Sequence, residues 1–114
     1  MHELSIAMSI VDIATEEAAR LGGRVSAVHL RLGALVGLVP ECLLTSFEMA
    51  SQDSPIAGSR LVIEEMPVMA FCPQCGGERR IASIQALCCS ECGSPTPQVS
   101  QGRELELVGL EIES

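Results

Sequence analysis

Apolar residues near the start of the chain recur with the period of an α-helix. Between Glu3 and Leu21 they form one stripe, and polar residues occupy the opposite face. The stripe comprises Leu4, Ala7, Met8, Val11, Ala14, Ala18 and Leu21, widened by Ile10 and Ile13, and the polar face comprises Ser5, Ser9, Asp12, Glu16 and Arg20. Gly22 and Gly23 end the pattern, as glycine often does after a helix. The sequence therefore predicts a helix over about residues 3–21.

A strand and a second helix follow. In VSAVHLRL, Val28, Leu30 and Leu32 fall on one side of an alternating pattern, which predicts a half-buried strand. His29 and Arg31 fall on the other side, where we expect His29 to be a surface or a packing residue.

The second helix is predicted for PECLLTSFEMA. Pro40 suits the first helical turn, because its fixed φ matches the helix and its missing N–H is not needed there. Leu43, Leu44 and Phe47 are expected on the buried side, and Cys42 is expected to be an ordinary buried cysteine.

Two further strands are predicted, RLVIEEM and, near the end, ELELVGLEIE. In the last strand the apolar positions change parity, from Leu105 and Leu107 to Leu110 and Ile112. One extra residue near Val108–Gly109 would restore a single apolar face, which predicts a β-bulge there. Between the two strands, residues 67–102 hold five of the six cysteines.

Composition and charge narrow the classes of function. Hydrophobic residues make up 47% of the chain and aromatic residues 2%, so we expect a folded protein with an aliphatic core. The net charge of -8 opposes binding to nucleic acid and to anionic membranes. His2 and Glu3 stand where a signal peptide would be basic, and LGALVGLV is too short to span a bilayer. We therefore expect a cytoplasmic protein whose cysteines are reduced or metal-bound.

Two C-x-x-C-G motifs, CPQCGG and CSECGS, contain Cys72, Cys75, Cys89 and Cys92. Each motif aims two thiolates at one point, and its glycine can take a positive φ. Two such turns build a tetrahedral site of four sulfurs, which suits Zn²⁺, although this geometry also suits an iron site of rubredoxin type. Four thiolates leave no open position, so the metal would be structural. Only Cys89 completes the second motif, which leaves Cys88 as a spare thiol.

The first three residues can chelate a metal. The α-amine of Met1, the His2 amide and His2 Nδ1 form adjacent five- and six-membered rings, and Glu3 can add its amide or carboxylate. Nitrogen-rich, tetragonal sites suit Ni²⁺ or Cu²⁺. We expect the large residue His2 to protect Met1 from removal. A histidine near an N-terminus is usually only solvated, however, and Glu3 also suits the start of a helix.

The chain resembles the HypA/HybF family of hydrogenase maturation nickel chaperones in four features. These are the start MHELSIA, the paired C-x-x-C-G motifs, VPE before the second helix and the strand after the cysteine segment. The resemblance covers the whole chain. It implies an α+β fold with two helices packed on a three-stranded sheet and an inserted zinc-ribbon-like subdomain with four cysteine ligands. The implied domains are a nickel-binding α/β domain of residues 1–66 and 103–114 and a zinc-binding domain of residues 67–102.

The resemblance also implies the metals and the partners. Ni²⁺ would bind at Met1, His2 and Glu3 as transient cargo, and structural Zn²⁺ would bind at the four motif cysteines. The nickel would pass to the large subunit of [NiFe]-hydrogenase together with the GTPase HypB, and some family members serve urease. Two features depart from the family pattern: Cys88 stands where a non-cysteine is usual, and no histidine flanks the cysteine motifs.

The leading hypothesis is thus a metallochaperone and not an enzyme. No motif resembles a phosphate-binding loop or a nucleophile with its base. One alternative is a zinc-ribbon module that binds protein or nucleic acid and has no nickel function, although the negative charge opposes the nucleic acid. Another is an iron-sulfur electron carrier.

Overall fold

The computed structural model describes residues 2–81, 85–96 and 98–113. These residues form two helices and six strands: α1 (Glu3–Leu21), β1 (Arg24–Gly33), α2 (Pro40–Ser51), β2 (Arg60–Met66), β3 (Met69–Cys72), β4 (Gly77–Arg80), β5 (Gln98–Gln101) and β6 (Leu105–Glu113). The predicted α+β class is confirmed, with α1 and β2 at the predicted positions. Strands β3, β4 and β5 lie in the cysteine segment, for which the sequence predicted no strands.

The described strands form two three-stranded sheets, with the orders β2-β1-β6 and β4-β3-β5. The chain divides into two compact units. The helical unit comprises Met1–Arg31, Gly37–Glu64 and Glu106–Ser114, and the cysteine unit comprises Leu32–Val36 and Glu65–Leu105. The assignment of a nickel-binding domain to residues 1–66 and 103–114 and of a zinc-binding domain to 67–102 stays a prediction.

Strand β1 runs antiparallel to β6. Arg24 lies 3.9 Å from Glu113, and the Ser26 hydroxyl donates to the Glu111 carbonyl at 3.2 Å. Residue numbers therefore rise along β1 as they fall along β6. The order β2-β1-β6 makes β1 the central strand, and more of its residues are buried than in β2 or β6. The predicted alternation of β1 is confirmed, because Val28, Leu30 and Leu32 are buried.

Helix α1 buries the centre of the predicted apolar stripe but not its whole width and length. Ala7, Ile10, Val11 and Ala14 are buried, at the i, i+3, i+4 spacing of one helical face. Among the predicted stripe residues, Leu4, Met8, Ile13 and Leu21 are exposed. Leu4 and Leu21 lie in the terminal turns of α1, and the small alanines let the middle of the helix approach its neighbours closely.

Helix α2 presents one narrow apolar face to the core. Leu43 and Phe47, one turn apart, are buried, whereas Leu44 is 43% exposed and Cys42 is exposed. The predictions that Leu44 and Cys42 are buried are therefore wrong. Each of them lies about 100° from Leu43 around the helix, which turns it away from the core.

Strand β6 changes the parity of its exposure as predicted. Leu105 and Leu107 are half-buried in its first part, and Leu110 and Ile112 in its second. Strand β1 changes parity too, because the consecutive residues 27 and 28 are both buried. The β-bulge near Val108–Gly109 stays a prediction.

His29 joins a cross-strand group on the outer side of this sheet. Its Nε2 lies 2.6 Å from a carboxylate oxygen of Glu111, which Arg60 also approaches at 3.5 Å. The hydrogen bond to His29, followed by the charge of Arg60, lowers the pKa of Glu111 below its ordinary value of 4.5. The expected surface role of His29 is thus accompanied by a specific contact.

Two neighbouring leucines of α2 offer a matched test of the core. Leu43 has no exposed surface, so Leu43→Ala should lower the free energy of unfolding by about 2–5 kcal/mol. Leu44→Ala removes the same atoms from an exposed position and should cost less than about 1 kcal/mol. Denaturant titration of both variants measures the difference, and equal losses would contradict the placement of α2.

The Glu111 contact predicts a pH dependence of stability. A carboxyl group with a lowered pKa in the folded state stabilises the fold above its unfolded pKa, and loses that effect as pH falls through the folded value. Glu111→Gln should therefore flatten the stability profile below about pH 4.5, while Glu106→Gln should not. Thermal unfolding across this range is the measurement, and parallel profiles for wild type and Glu111→Gln would exclude the coupling.

Candidate metal centres

The first cysteine motif forms the connection between β3 and β4. Cys72 ends β3 and pairs with Gly77 at the start of β4. The Gly76 N–H donates to the Cys72 carbonyl at 2.8 Å, and the Cys75 N–H points to Cys72 Sγ at 3.4 Å. Gly76 has a φ of 73°, and a Cβ there would meet nothing within 4 Å. The glycine is thus required by the backbone conformation and not by space.

The second motif repeats the backbone turn of the first. The Gly93 N–H donates to the Cys89 carbonyl at 2.9 Å, and the Glu91 N–H lies 3.3 Å from Cys89 Sγ. Gly93 has a φ of 76°. The positive φ predicted for both motif glycines is confirmed, so the two repeats in the sequence are two copies of one turn.

Backbone pairing brings the second turn beside the first. Ile81, directly after β4, forms an antiparallel bridge with Cys89, and the Ser90 N–H donates to the Arg80 carbonyl at 3.2 Å. Strand β4 starts at the first turn and its continuation pairs with the second. The short hairpin therefore sets the separation of the two pairs of thiols.

The four predicted thiols converge. The Sγ atoms of Cys72, Cys75, Cys89 and Cys92 all lie within 4.8 Å of one another. Cys72 Sγ lies 3.5 Å from Cys92 Sγ, and Cys75 Sγ lies 3.9 Å from Cys89 Sγ. A tetrahedron with Zn–S bonds of about 2.3 Å has S···S edges of about 3.8 Å. Donor type, number and spacing therefore fit Zn²⁺.

Cys88 lies outside this cluster. It forms an antiparallel bridge with Pro95, whereas Cys89 bridges to Ile81 on the other side. Successive side chains of an extended segment point in opposite directions, so only one of the two adjacent thiols can face the other three. The structure places Cys89 in that position.

The thiols of the cluster differ in acidity. The hydroxyl and the backbone N–H of Ser94 lower the pKa of Cys92 to about 6. Hydrogen bonds with the thiols of Cys92 and Cys72 raise the pKa of Cys75 to about 12. A divalent cation would replace the thiol protons when the thiolates bind it.

The N-terminal residues form no comparable cluster among the described residues. Met1, the first of the three predicted nickel ligands, lies outside the described residues. His2 is exposed at the N-cap of α1, and its carbonyl accepts a hydrogen bond from the Ile6 N–H at 3.2 Å. The structure therefore leaves the imidazole accessible at the start of a helix.

Glu3 makes a tertiary contact that the sequence did not indicate. Its carboxylate accepts a hydrogen bond from the backbone N–H of Val39 at 3.2 Å. Val39 is the N-cap of α2 and has no polar side-chain atom, so Glu3 supplies the acceptor from another helix. The Glu3 backbone N–H and then the Val39 N–H lower the pKa of Glu3. No local signal links positions 36 residues apart.

No helix in the described part of the chain combines the length and the apolar character that a bilayer crossing needs.

A family model described as hydrogenase/urease nickel incorporation, metallochaperone, hypA matches residues 1–112. A relative from Chloroflexus aurantiacus, named hydrogenase maturation factor HypA, is 51% identical over 112 residues, which cover 97% of this chain and 98% of the relative. A relative of the same name from Deinococcus radiodurans is 41% identical over 108 residues, covering 94% and 89% of the two chains.

Two solved structures share the fold. The solution structure of the Ni metallochaperone HypA from Helicobacter pylori aligns with a TM-score of 0.66 over 98% of this chain and 97% of that one, at 23% identity. A second solution structure of a HypA protein aligns with a TM-score of 0.71 over 99% and 97%. At this identity the likeness concerns the fold.

Adjacent cysteines provide a matched test of the four-sulfur site. Cys89→Ser should lose most of the bound zinc. Because zinc takes the place of a hydrophobic core in the cysteine unit, the amide signals of that unit should lose their dispersion, while those of the helical unit should not change. Cys88→Ser should keep one full equivalent of zinc. Elemental analysis and two-dimensional NMR of both variants are the measurements, and the reverse pattern would show that Cys88 is the ligand.

Proposed function

Because the chain belongs to the HypA family of hydrogenase/urease nickel-incorporation metallochaperones, we propose that it binds Ni²⁺ at its N-terminus and delivers it for the maturation of [NiFe]-hydrogenase. The observation that carries the proposal is the family match over residues 1–112. The exposed His2 at the start of α1 supports the position of the nickel site.

The start of a helix suits a chelate of this kind. The first amides of a helix have no intrahelical acceptor, so the backbone nitrogens of His2 and Glu3 are free of helical hydrogen bonds. Together with a free α-amine on Met1 and with His2 Nδ1, they offer nickel four nitrogen donors. Such donors in a plane suit Ni²⁺. Nickel is the cargo here, and an exposed site allows both uptake and release.

Glu3 acts in this proposal through two different groups. Its amide is a candidate nickel donor, whereas its carboxylate already accepts the hydrogen bond from Val39. That bond fastens the residue next to the imidazole to the start of α2. The carboxylate thus limits the motion of the chelating residues and is not needed as a ligand.

The four cysteines hold a structural Zn²⁺ in this proposal. Four thiolates close the coordination sphere, which leaves no position for water or substrate. Among the described residues of the cysteine unit, the buried apolar side chains besides the cysteines are Leu32, Val68 and Ala70. So small a core needs the 10–16 kcal/mol or so that zinc binding supplies to domains of this kind.

The proposed role is binding and transfer, not catalysis. The nickel would pass to the hydrogenase large subunit together with the GTPase HypB, in the cytoplasm, and urease maturation proteins are further candidate partners. The competing hypothesis is a zinc-ribbon module that binds nucleic acid without nickel. The net charge of -8 opposes it, and a salt-sensitive shift of DNA by the protein would support it.

Nickel binding should depend on the first residues alone. One extra residue before Met1 converts the amine into a peptide N–H, and His2→Ala removes the imidazole, so both changes should abolish tight Ni²⁺ binding and leave zinc content intact. His29→Ala, which removes the other histidine, should keep full affinity. Calorimetry on untagged protein is the measurement. Unchanged affinity in the extended protein and in His2→Ala would refute the N-terminal site.

A further inference from the structure

The helical unit has an open groove beside its edge strand. A depression of about 320 Å³ lies between the second half of α1 and the middle of β6. Ile13 and Leu21 line it from α1, and Leu107, Val108 and Leu110 line it from β6. The groove contains none of the residues of the two candidate metal centres.

The walls of the groove expose large apolar side chains. Ile13 is 48% exposed, Leu21 56% and Val108 45%, and all three line this one depression. Single exposed apolar residues are common on protein surfaces, but several that converge on one concave site favour a binding surface. Leu107 and Leu110 continue the apolar floor and are half-buried.

The floor of the groove is also a strand edge. In the described part of the chain β6 ends the sheet order β2-β1-β6, so only one of its sides pairs with a strand. The other side presents the backbone donors and acceptors of an edge strand, which can pair with an added strand. An extended segment laid along β6 would place alternate side chains against the apolar walls.

Charge indicates the chemistry of that segment. The carboxylates of Glu17, which lines the groove, and of Glu111 and Glu113 on β6 already contact arginines of this chain. Among the described residues Glu106 has no ion pair, and its carboxylate is exposed near the open edge. Opposite charges on neighbouring strands attract, so Lys or Arg on an added strand would complement Glu106 and the net charge of -8.

We propose that the β6 groove, defined as the depression lined by Ile13, Leu21, Leu107, Val108 and Leu110, binds a partner protein by strand addition. The partner contributes an extended segment in which apolar residues alternate with Lys or Arg. Its apolar side chains enter the groove and its cations face Glu106. This surface is independent of nickel and zinc ligation.

A second copy of this chain fits the groove less well. Pairing through the same edge would bring the unpaired Glu106 of each copy to one seam, and like charges on paired strands are destabilising. The net charge of -8 on each copy adds long-range repulsion. The same charge attracts a basic segment.

The test is selection from a displayed library of random segments of about ten residues, the upper length of ordinary strands, on the zinc-loaded full chain. The enriched segments should alternate apolar residues with Lys or Arg, and raising salt from about 50 to about 500 mM should weaken their binding. Enrichment of segments without that alternation, or failure to enrich any, would overturn the proposal.

Variants with matched controls locate the site. Ile13→Gln combined with Leu21→Gln should weaken the selected segments about tenfold or more, as should Glu106→Lys. Met49→Gln removes an exposed apolar side chain elsewhere, and Asp53→Lys reverses an exposed charge elsewhere, so both should keep full affinity. Zinc content and circular dichroism show that each variant is folded. Equal affinity for all four proteins would refute the site.

Hydrogen exchange separates strand addition from other occupants. A bound strand should protect edge amides within residues 107–110, because it supplies their missing acceptors. A segment that binds without protecting them, for example as a helix, would overturn the strand mode. Analytical ultracentrifugation tests the remaining occupant, a second copy of this chain. If the protein is a dimer, and if Ile13→Gln combined with Leu21→Gln makes it a monomer, a second copy occupies the groove and the proposal is refuted.

Discussion

The cysteine unit depends on four sulfur atoms held within 4.8 Å of one another. Two copies of one turn bring the sulfurs together in pairs, and the backbone bridge between Ile81 and Cys89 sets the pairs side by side. The strands around them are four residues long and bury few apolar side chains. Such strands are too short to be stable alone, so the geometry of the sulfurs is what gives this part of the chain one structure.

The helical unit is stabilised differently. Its helices bury narrow faces, led by Ala7 and Ala14 on α1 and by Leu43 and Phe47 on α2. Small residues on one helix allow close approach, and large ones on the other fill the space between. The outer side of its sheet carries ion pairs between exposed groups, each of which adds little stability.

The two candidate metal centres differ in chemistry as well as position. The cysteine cluster offers four soft sulfur donors in a closed tetrahedral arrangement, which suits a metal that stays. The proposed N-terminal site offers nitrogen donors at an exposed helix start, which suits a metal that is passed on. Glu3 shows how such a site can be both exposed and ordered, since its carboxylate is held by the Val39 N–H.

Patterns within a few residues determined much of this protein. The helical and strand periods located α1, β1, α2 and β2, and the repeated C-x-x-C-G motifs identified the four cysteines that the structure brings together. These signals are local, because period, turn type and ligand spacing act over two to five residues. The choice of Cys89 over Cys88 followed from the same short-range geometry.

Tertiary structure alone decided which apolar residues are covered. Leu44 and Cys42 satisfy a helical pattern as well as Leu43 does, and only the position of neighbouring elements leaves them exposed. The open groove beside β6 and the bond from Val39 to Glu3 arise in the same way. Burial and long-range hydrogen bonds depend on which segments meet in space, and the contacts of Glu3 and Val39 join positions that no local pattern connects.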